Sequence, residues 1–421
     1  MSLYQLLQKI QDIIIIWAWA AGLFAAINIS SKYNKLILEK NSKPWIKVLL
    51  SWWERANVSN MDIEGERDYF GQNKKALKSI LTRYNQWDIM SWFADNWINI
   101  IEEDRWRLIL ESGDSKELLA VLVRKAQENN SEIKTEQNVK VIRTANNISS
   151  LNSYSLDKEQ EATKQIFEVT TESWKKYFTK KVIVSSGWKS FFQVGTTWEW
   201  YNFAKEFWLN IIPPTRALWG LSTKKDFSNI SGTSCDVEVK IFDKNDVKKN
   251  VIYSENWPLL FTHFWVSGPI IFNAGNAIGE YISWINLLSP HLTKEGVRGW
   301  SQIDIIYENY LKEYIYLELV FDIENTPKKI VKYFSLDIPL NKNGTQVENN
   351  IITLDLQNWR SWKEAKATWG WIDINELDKF MQSKKEPGLF FIGEVCDITW
   401  KTGGFNLQWA WSSAYCCGEF F

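Results

Sequence analysis

Glycine is scarce in this chain. There are 20 glycines in 421 residues, where average usage of about 7% would supply roughly 29. Histidine is scarcer, with 2 residues, and there are 4 cysteines: Cys235, Cys396, Cys416 and Cys417. That supply excludes a disulfide framework and argues against a zinc or iron–sulfur centre, so no metal is expected. No CxxC is present and the vicinal pair does not bridge readily, which points to a reducing cytoplasm. Charge of one sign is also missing. Lys+Arg (49) balance Asp+Glu (50) to a net charge of −1, without the basic excess of a dedicated nucleic-acid binder. The uncharged stretch Ile13 to Ile27 is shorter than the about 20 residues a membrane span needs. No small-residue cleavage site follows it cleanly, so neither a membrane anchor nor an export signal is expected. Walker and GxSxG motifs, internal repeats and low-complexity segments are absent as well.

What the chain does have is tryptophan: 26 residues, more than its glycines. Hydrophobic residues at 45% and charged residues at 24% are otherwise ordinary for a globular protein.

The order of patterns predicts an α/β fold. Asp12 to Ile16 reads as a buried strand, Ala20 to Ser30 as a small-residue helix, and Lys35 to Glu39 as a second strand ending in an acid, which makes a βαβ unit. Residues 72–110 read as helical and then extended. Leu118 to Glu128 reads as a helix, Val139 to Ile142 as a strand, and Lys181 to Gly187 as another buried strand. After Pro213-Pro214 the pattern changes to alternating strands such as Cys235 to Ile241, joined by the polar turn Asp243 to Asn250. The α/β character returns at Gly388 to Glu394, and Leu407 to Cys417 reads as a last helix. The expectation is a discontinuous Rossmann-like domain of residues 1–210 and 365–421, with an inserted, partly β (α+β) domain of residues 211–364.

A strand–turn–helix with an acid closing the next strand is the dinucleotide-binding layout, whose turn normally reads GxGxxG. The first two glycines permit the tight turn and the approach of a diphosphate to the helix N-terminus. The third allows close helix–strand packing. Here the turn reads Trp17-Ala18-Trp19-Ala20-Ala21-Gly22, and only the third glycine is present. Glu39 follows at the separation of about 20 residues expected for a ribose-binding acid. Other turn-like segments repeat the substitution: Ser51-Trp52-Trp53-Glu54-Arg55, Gly187-Trp188, Thr197-Trp198-Glu199-Trp200 and Trp369-Gly370-Trp371.

With glycine read at those places, the chain resembles the YhiN/BaiN-type family of FAD-dependent oxidoreductases. The matching segments span nearly the whole chain: Ile13 to Ala26, Pro44 to Asn60, Ser185 to Tyr201, Pro213-Pro214, Leu260 to Pro269, Ala367 to Ile372, and Pro387 to Ser413 with Thr402-Gly403-Gly404-Phe405-Asn406-Leu407. The family carries glycine where this chain has Trp17, Trp19, Trp52, Trp53, Trp188, Trp198, Trp200, Trp265 and Trp371, whereas Trp409 and Trp411 match tryptophans it tolerates. Turn chemistry or the family pattern also calls for glycine at Trp45, Trp97, Trp106, Trp208, Trp257, Trp369 and Trp400. A gene that reads UGA as glycine, translated as if UGA were tryptophan, would write this sequence. A literal indole at position 17 or 19 would occupy the diphosphate space and oppose FAD binding.

The resemblance implies a set of cofactor-binding residues. Trp17, Ala18, Trp19, Ala20, Ala21 and Gly22 frame the diphosphate, Glu39 meets the ribose, and Lys40 and Lys47 neutralise phosphate. Arg55 and Asn57 lie on a flavin-proximal loop, the Val139 backbone meets adenine, and Gly187 ends a strand beside the cofactor. Gly393 and Glu394, with Gly403, Gly404, Asn406 and Leu407 opening the last helix, face the ribityl chain and the flavin. Each has a plainer alternative: a buried turn for the first six, a solvated acid for Glu39, a structural ion pair for Arg55, core packing for Val139. His263 is the candidate for proton transfer, with a structural role as its alternative. The implied activity is FAD-dependent redox chemistry on a small-molecule substrate, with NAD(P)H as donor taken from the family, since no second nucleotide fingerprint is present. The rival classes are a non-catalytic flavin-binding protein and, if the tryptophans are literal, a glycan- or membrane-surface binder.

Overall fold

The computed structural model describes residues 10–44, 57–71, 73–144, 165–186, 203–204, 206–285, 305, 307–336, 350–359, 364–365 and 367–421. The chain divides into two compact units. The first comprises Met1–Ile212, Gly370–Ile398 and Gly403–Phe421; the second comprises Pro213–Trp369 and Thr399–Thr402.

The first unit opens with strand β1 (Ile10–Ile16), helix α1 (Ala20–Asn28) and strand β2 (Lys35–Leu38). Ile13 to Ile16 are wholly buried, as expected of a strand covered on both faces of a parallel sheet. Helix α1 carries no charged residue in its first or last turn, and Ala20 to Ala26 are all buried. Its alanines bring it close to the sheet. Strand β3 (Asn57–Asn60) is followed by helices α2 (Lys75–Arg83) and α3 (Gln86–Asp95), then by strands β4 (Ile100–Glu103) and β5 (Arg107–Leu110). β3, β5 and β4 form a small antiparallel sheet. Helix α4 (Ser115–Glu128) packs on α1. It leads to strands β6 (Ser131–Lys134), β7 (Val139–Thr144), β8 (Phe167–Thr171) and β9 (Lys176–Val184). The main sheet runs β6-β2-β1-β9-β8-β7. β6, β2, β1 and β9 are parallel, with Ile15 opposite both Ile37 and Ile183; β8 and β7 are antiparallel additions. This is the Rossmann-type α/β fold.

The second unit is a closed barrel with helices. Its strands are β10 (Leu221–Thr223), β11 (Ser234–Asp243), β12 (Tyr253–Phe261), β13 (Trp265–Ser267), β14 (Ile315–Val320) and β15 (Ile351–Trp359), closed in the order β10-β13-β12-β11-β14-β15. The β11–β12 hairpin spans Ser234 opposite Leu260 to Ile241 opposite Tyr253. The alternation read from Cys235 to Ile241 thus belongs to a barrel wall. Helix α5 (Pro269–Trp284) packs against β11, β12 and β13, and the short helix α6 (Lys328–Phe334) follows β14.

The chain rejoins the first unit within strand β16 (Ala367–Ile372), at Gly370. Strand β17 (Leu389–Phe391) then pairs in parallel with the second half of β9, Val182 opposite Leu389, beside the antiparallel pairing of that strand's first half with β8. Helix α7 (Phe405–Gly418) closes against α1. It starts two residues earlier than the sequence pattern implied, because Gly404 at φ 101° breaks the chain immediately before it.

Candidate functional site

The carboxyl ends of β1, β2, β9 and β17 converge at the N-terminus of α1, the point at which ligands bind in open α/β sheets. The Trp17 N–H donates to the Leu38 carbonyl at 2.8 Å, tying the turn after β1 to the end of β2. Ser185, just beyond β9, donates its Oγ to the carbonyls of Ile16 (2.8 Å) and Trp17 (2.9 Å). Gly22 sits in the angle between them. A Cβ there would lie 2.3 Å from the Trp17 oxygen and 2.4 Å from Ser185 Oγ. This is the helix–strand contact that the third glycine of the fingerprint exists to allow.

Ala18, Ala20 and Ala21 are buried around this turn. The first intrahelical bond of α1 runs from the Leu23 N–H to the Trp19 carbonyl at 2.9 Å. The N–H groups of Ala20, Ala21 and Gly22 therefore face outward from the helix end, where its dipole favours an anion. No acid stands in this first turn.

Glu39 is fully buried at the end of β2. Its Oε2 accepts from the Ala18 N–H at 2.9 Å, and its Oε1 accepts from the Asn41 N–H and Nδ2, both at 2.9 Å. Burial raises its pKa above the ordinary value, against the pull of these donors. The Gln137 N–H donates to the Glu39 carbonyl at 2.8 Å, which places buried Val139, two residues on at the start of β7, beside this acid. Lys40 is half-buried, and burial, with the Lys140 ammonium as a second cause, lowers its pKa.

Gly393 lies at the end of β17 with φ 71°, and a Cβ there would come 2.9 Å from that of Ala21. Its N–H donates to Ser413 Oγ at 3.0 Å and its carbonyl accepts from Trp409 Nε1 at 2.9 Å. Glu394 is half-buried in the same turn. Gly403 and Gly404 have φ of 118° and 101°. The Gly403 carbonyl accepts from Asn60 Nδ2 at 3.0 Å, and a Cβ on Gly404 would lie 2.0 Å from the Ser59 carbonyl oxygen. Asn57 and Asn60 bound β3, the strand under this helix start. At the first turn of α7, Asn406 is exposed and Leu407 buried.

One end of the sheet thus gathers Ala18, Ala20, Ala21, Gly22, Glu39, Lys40, Val139, Gly393 and Glu394, while Gly403, Gly404, Asn406 and Leu407 stand at the start of α7; Asn57 begins β3 beyond Val58, whose carbonyl meets Trp411 farther along that helix. His263 lies in the second unit, exposed on the turn between β12 and β13, where its carbonyl accepts the Phe227 N–H at 2.5 Å. Lys47, Arg55 and Gly187 lie outside the described residues, as do Trp45, Trp52, Trp53, Trp188, Trp198 and Trp200. Sequence reasoning missed Ser185, Ser59, Asn60 and Gln408. Ser59 Oγ donates to Gln408 Oε1 at 2.6 Å. Nothing in the local pattern marks a lone serine or glutamine, since the partners are hundreds of residues apart in the chain.

Position 17 does not fit an extended dinucleotide. Trp17 takes φ 79° with its side chain wholly buried, and its ring lies 5.2 Å from that of Trp19, which is itself buried at the N-cap of α1. Two buried indoles therefore belong to the turn that must be bare of side chains for a diphosphate to reach the helix N–H groups.

Three comparisons bear on this architecture. The family model described as HI0933-like protein Rossmann domain matches residues 11–420. A ribosomal RNA dihydrouridine synthase of Escherichia coli (strain K12) is 27% identical over 430 residues, covering 97% of each chain. A 3-dehydro-bile acid delta(4,6)-reductase of Clostridium scindens is 19% identical over 424 residues, covering 96% of this chain and 97% of its own. Among solved structures, a 3-ketosteroid-delta4-(5alpha)-dehydrogenase from Rhodococcus jostii RHA1 aligns with a TM-score of 0.43 at 11% identity, over 97% of this chain and 96% of that one. With nearly its whole length matched, the chain belongs to the HI0933-like Rossmann family of FAD-binding oxidoreductases.

Proposed function

We propose that this protein is a FAD-dependent reductase that draws electrons from NAD(P)H and reduces an activated carbon–carbon double bond. The observation that carries the reading is the convergence of the α1 N-terminus, Glu39 and Gly393 at the carboxyl ends of the parallel strands. The electron donor follows from the family resemblance. The substrate class follows from the names of the relatives: a dihydrouridine synthase and a bile acid reductase both saturate a double bond. Identity to the ribosomal RNA enzyme is the higher, at 27%, which makes a uridine in ribosomal RNA the first substrate to try and an unsaturated ketone the second. The near-neutral net charge of −1 weighs against tight binding to bare nucleic acid but not against brief engagement of one base.

The test is the absorbance spectrum of protein purified from its native host. A yellow protein whose flavin bleaches with NAD(P)H under anaerobic conditions, and recovers its colour on adding an unsaturated acceptor, bears the proposal out. A flavin that NAD(P)H leaves oxidised identifies a non-catalytic flavin-binding protein instead. A colourless protein sinks both readings.

A further inference from the structure

The backbone sorts the tryptophans into two kinds. Among the described residues, Trp17, Trp97, Trp106, Trp174, Trp208 and Trp371 all have positive φ, between 55° and 121°. L residues other than Asn and Asp rarely adopt that region, and a bulky one there is an outlier. Tryptophans make up six of the thirteen non-glycine residues with positive φ, far above their share of the chain.

Each of these positions is one where chain geometry asks for glycine. Trp97 follows α3, with its N–H on the Ala94 carbonyl and the Ile98 N–H on the Phe93 carbonyl. That is the Schellman pattern, whose left-handed residue is usually glycine. Leu209 N–H to the Ala204 carbonyl repeats the long bond of that pattern around Trp208. Trp174 donates to the Thr171 carbonyl in the β8–β9 hairpin, while the Thr171 N–H donates to Lys175. This is the three-residue loop whose last residue is left-handed. Arg105 and Trp106 are successive left-handed residues in the three-residue β4–β5 loop, Asp104 to Trp106, whose last residue takes the left-handed conformation that favours glycine. Trp371, at 121°, and Trp17, at 79°, lie beyond even the left-handed basin that L residues visit.

At the surface turns the side chains agree with the backbone: Trp97, Trp174 and Trp208 are 84–90% exposed and pack against almost nothing, and Trp106 is 55% exposed. Trp17 and Trp371 are buried, and their assignment rests on the backbone angles alone. Trp409 and Trp411 contrast with both groups. They are helical and wholly buried, and their Nε1 atoms donate to the carbonyls of Gly393 and Val58, both at 2.9 Å.

We infer that the functional protein carries glycine at positions 17, 97, 106, 174, 208 and 371 and tryptophan at 409 and 411, its gene specifying the first set with UGA read as glycine and the second with UGG. The assignment adds position 174, which neither motif nor resemblance singled out. It gives no backbone reason for glycine at Trp257 or Trp265, which lie in barrel strands. It strips the cradle turn of the indole of Trp17.

The test is peptide mass spectrometry of the native protein, read beside the codons of its gene. The expected result is glycine at all six positions, each peptide lighter by the exchange of an indolylmethyl group for hydrogen, with UGA codons there and with tryptophan and UGG at 409 and 411. Tryptophan in the native peptides at position 17 or 371 overturns the inference, and so does glycine at 409 or 411. Tryptophan at one of the four surface turns overturns it for that turn. Peptide masses are independent of turnover, so failure here and failure of the proposed reductase activity remain distinguishable. A second measurement compares flavin retained by the W17G/W19G variant with that of the chain carrying both tryptophans. Flavin colour gained in the variant is expected, and equal flavin in both contradicts the blocked cradle.

Discussion

Glu39 is a buried carboxyl used as a clasp. Its oxygens hold the Ala18 N–H and both donors of Asn41, and burial still lifts its pKa above 4.5. A carboxyl with a raised folded-state pKa binds its proton more tightly in the native state. Its contribution to stability is therefore present below the unfolded value and lost as pH rises through the folded one. The Glu39→Gln variant should flatten the fall in apoprotein stability above pH 4.5, measured as urea midpoints across the acid range; an unchanged slope would assign it to other groups. Gly22→Ala would press a methyl group to 2.3 Å from the Trp17 carbonyl and should cost about 1–3 kcal/mol or more, as overpacking does, again read from the urea midpoint. Both residues were legible in the sequence because their spacing is local: a glycine in the turn and an acid closing the second strand. Ser185 was not, although its hydroxyl joins two strand ends. Its significance exists only once β9 lies beside β1.

At the scale of elements, α7 explains why the last segment reads so poorly as an amphipathic helix. Residues Leu407 to Ala414 are all buried, and the polar ones are satisfied internally. Gln408 Nε2 donates to the Tyr84 carbonyl at 3.1 Å, and Ser412 Oγ donates to the same carbonyl at 2.6 Å. A helix buried all round shows no polar face for periodicity to find. Its start was legible only as a glycine pair; why that pair is needed lies in Ser59, on the strand beneath. Gly404→Ala meets both a φ of 101° and a backbone oxygen at 2.0 Å. It should therefore lower the thermal midpoint by several degrees and fray the first turn of α7, seen as faster amide exchange at Phe405 to Leu407. Unchanged exchange there would mean that the loop relaxes around the methyl.

For the whole molecule, the two units differ in what closes them. The barrel of the second unit pairs every one of its six strands on both sides, leaving no open edge, and it has its own apolar interior, including Val237, Val239, Leu317, Leu319 and Leu356. We predict two thermal transitions by calorimetry, one of which survives substitutions such as Gly22→Ala; a single cooperative transition that shifts as a whole would contradict this. The second unit opens at Pro213 and also takes in Thr399–Thr402, an excursion that nothing in the sequence pattern announces. Side chains of α5 hold it, with Asn276 Nδ2 on the Trp400 carbonyl at 2.8 Å and Asn273 Oδ1 accepting the Thr402 N–H at 2.8 Å, and such bonds leave no trace in composition.

The divided pairing of β9 also sets an order of events on the ribosome. Its first half finds β8 at once, as a hairpin, but its second half awaits β17, which is synthesised only after the entire barrel. The nascent Rossmann unit must therefore hold an apolar half-strand, Val182 to Val184, that is paired with β1 along one edge and open along the other while the whole barrel is made. That is the interval in which the chain is most prone to aggregate and in which a chaperone would have most to protect.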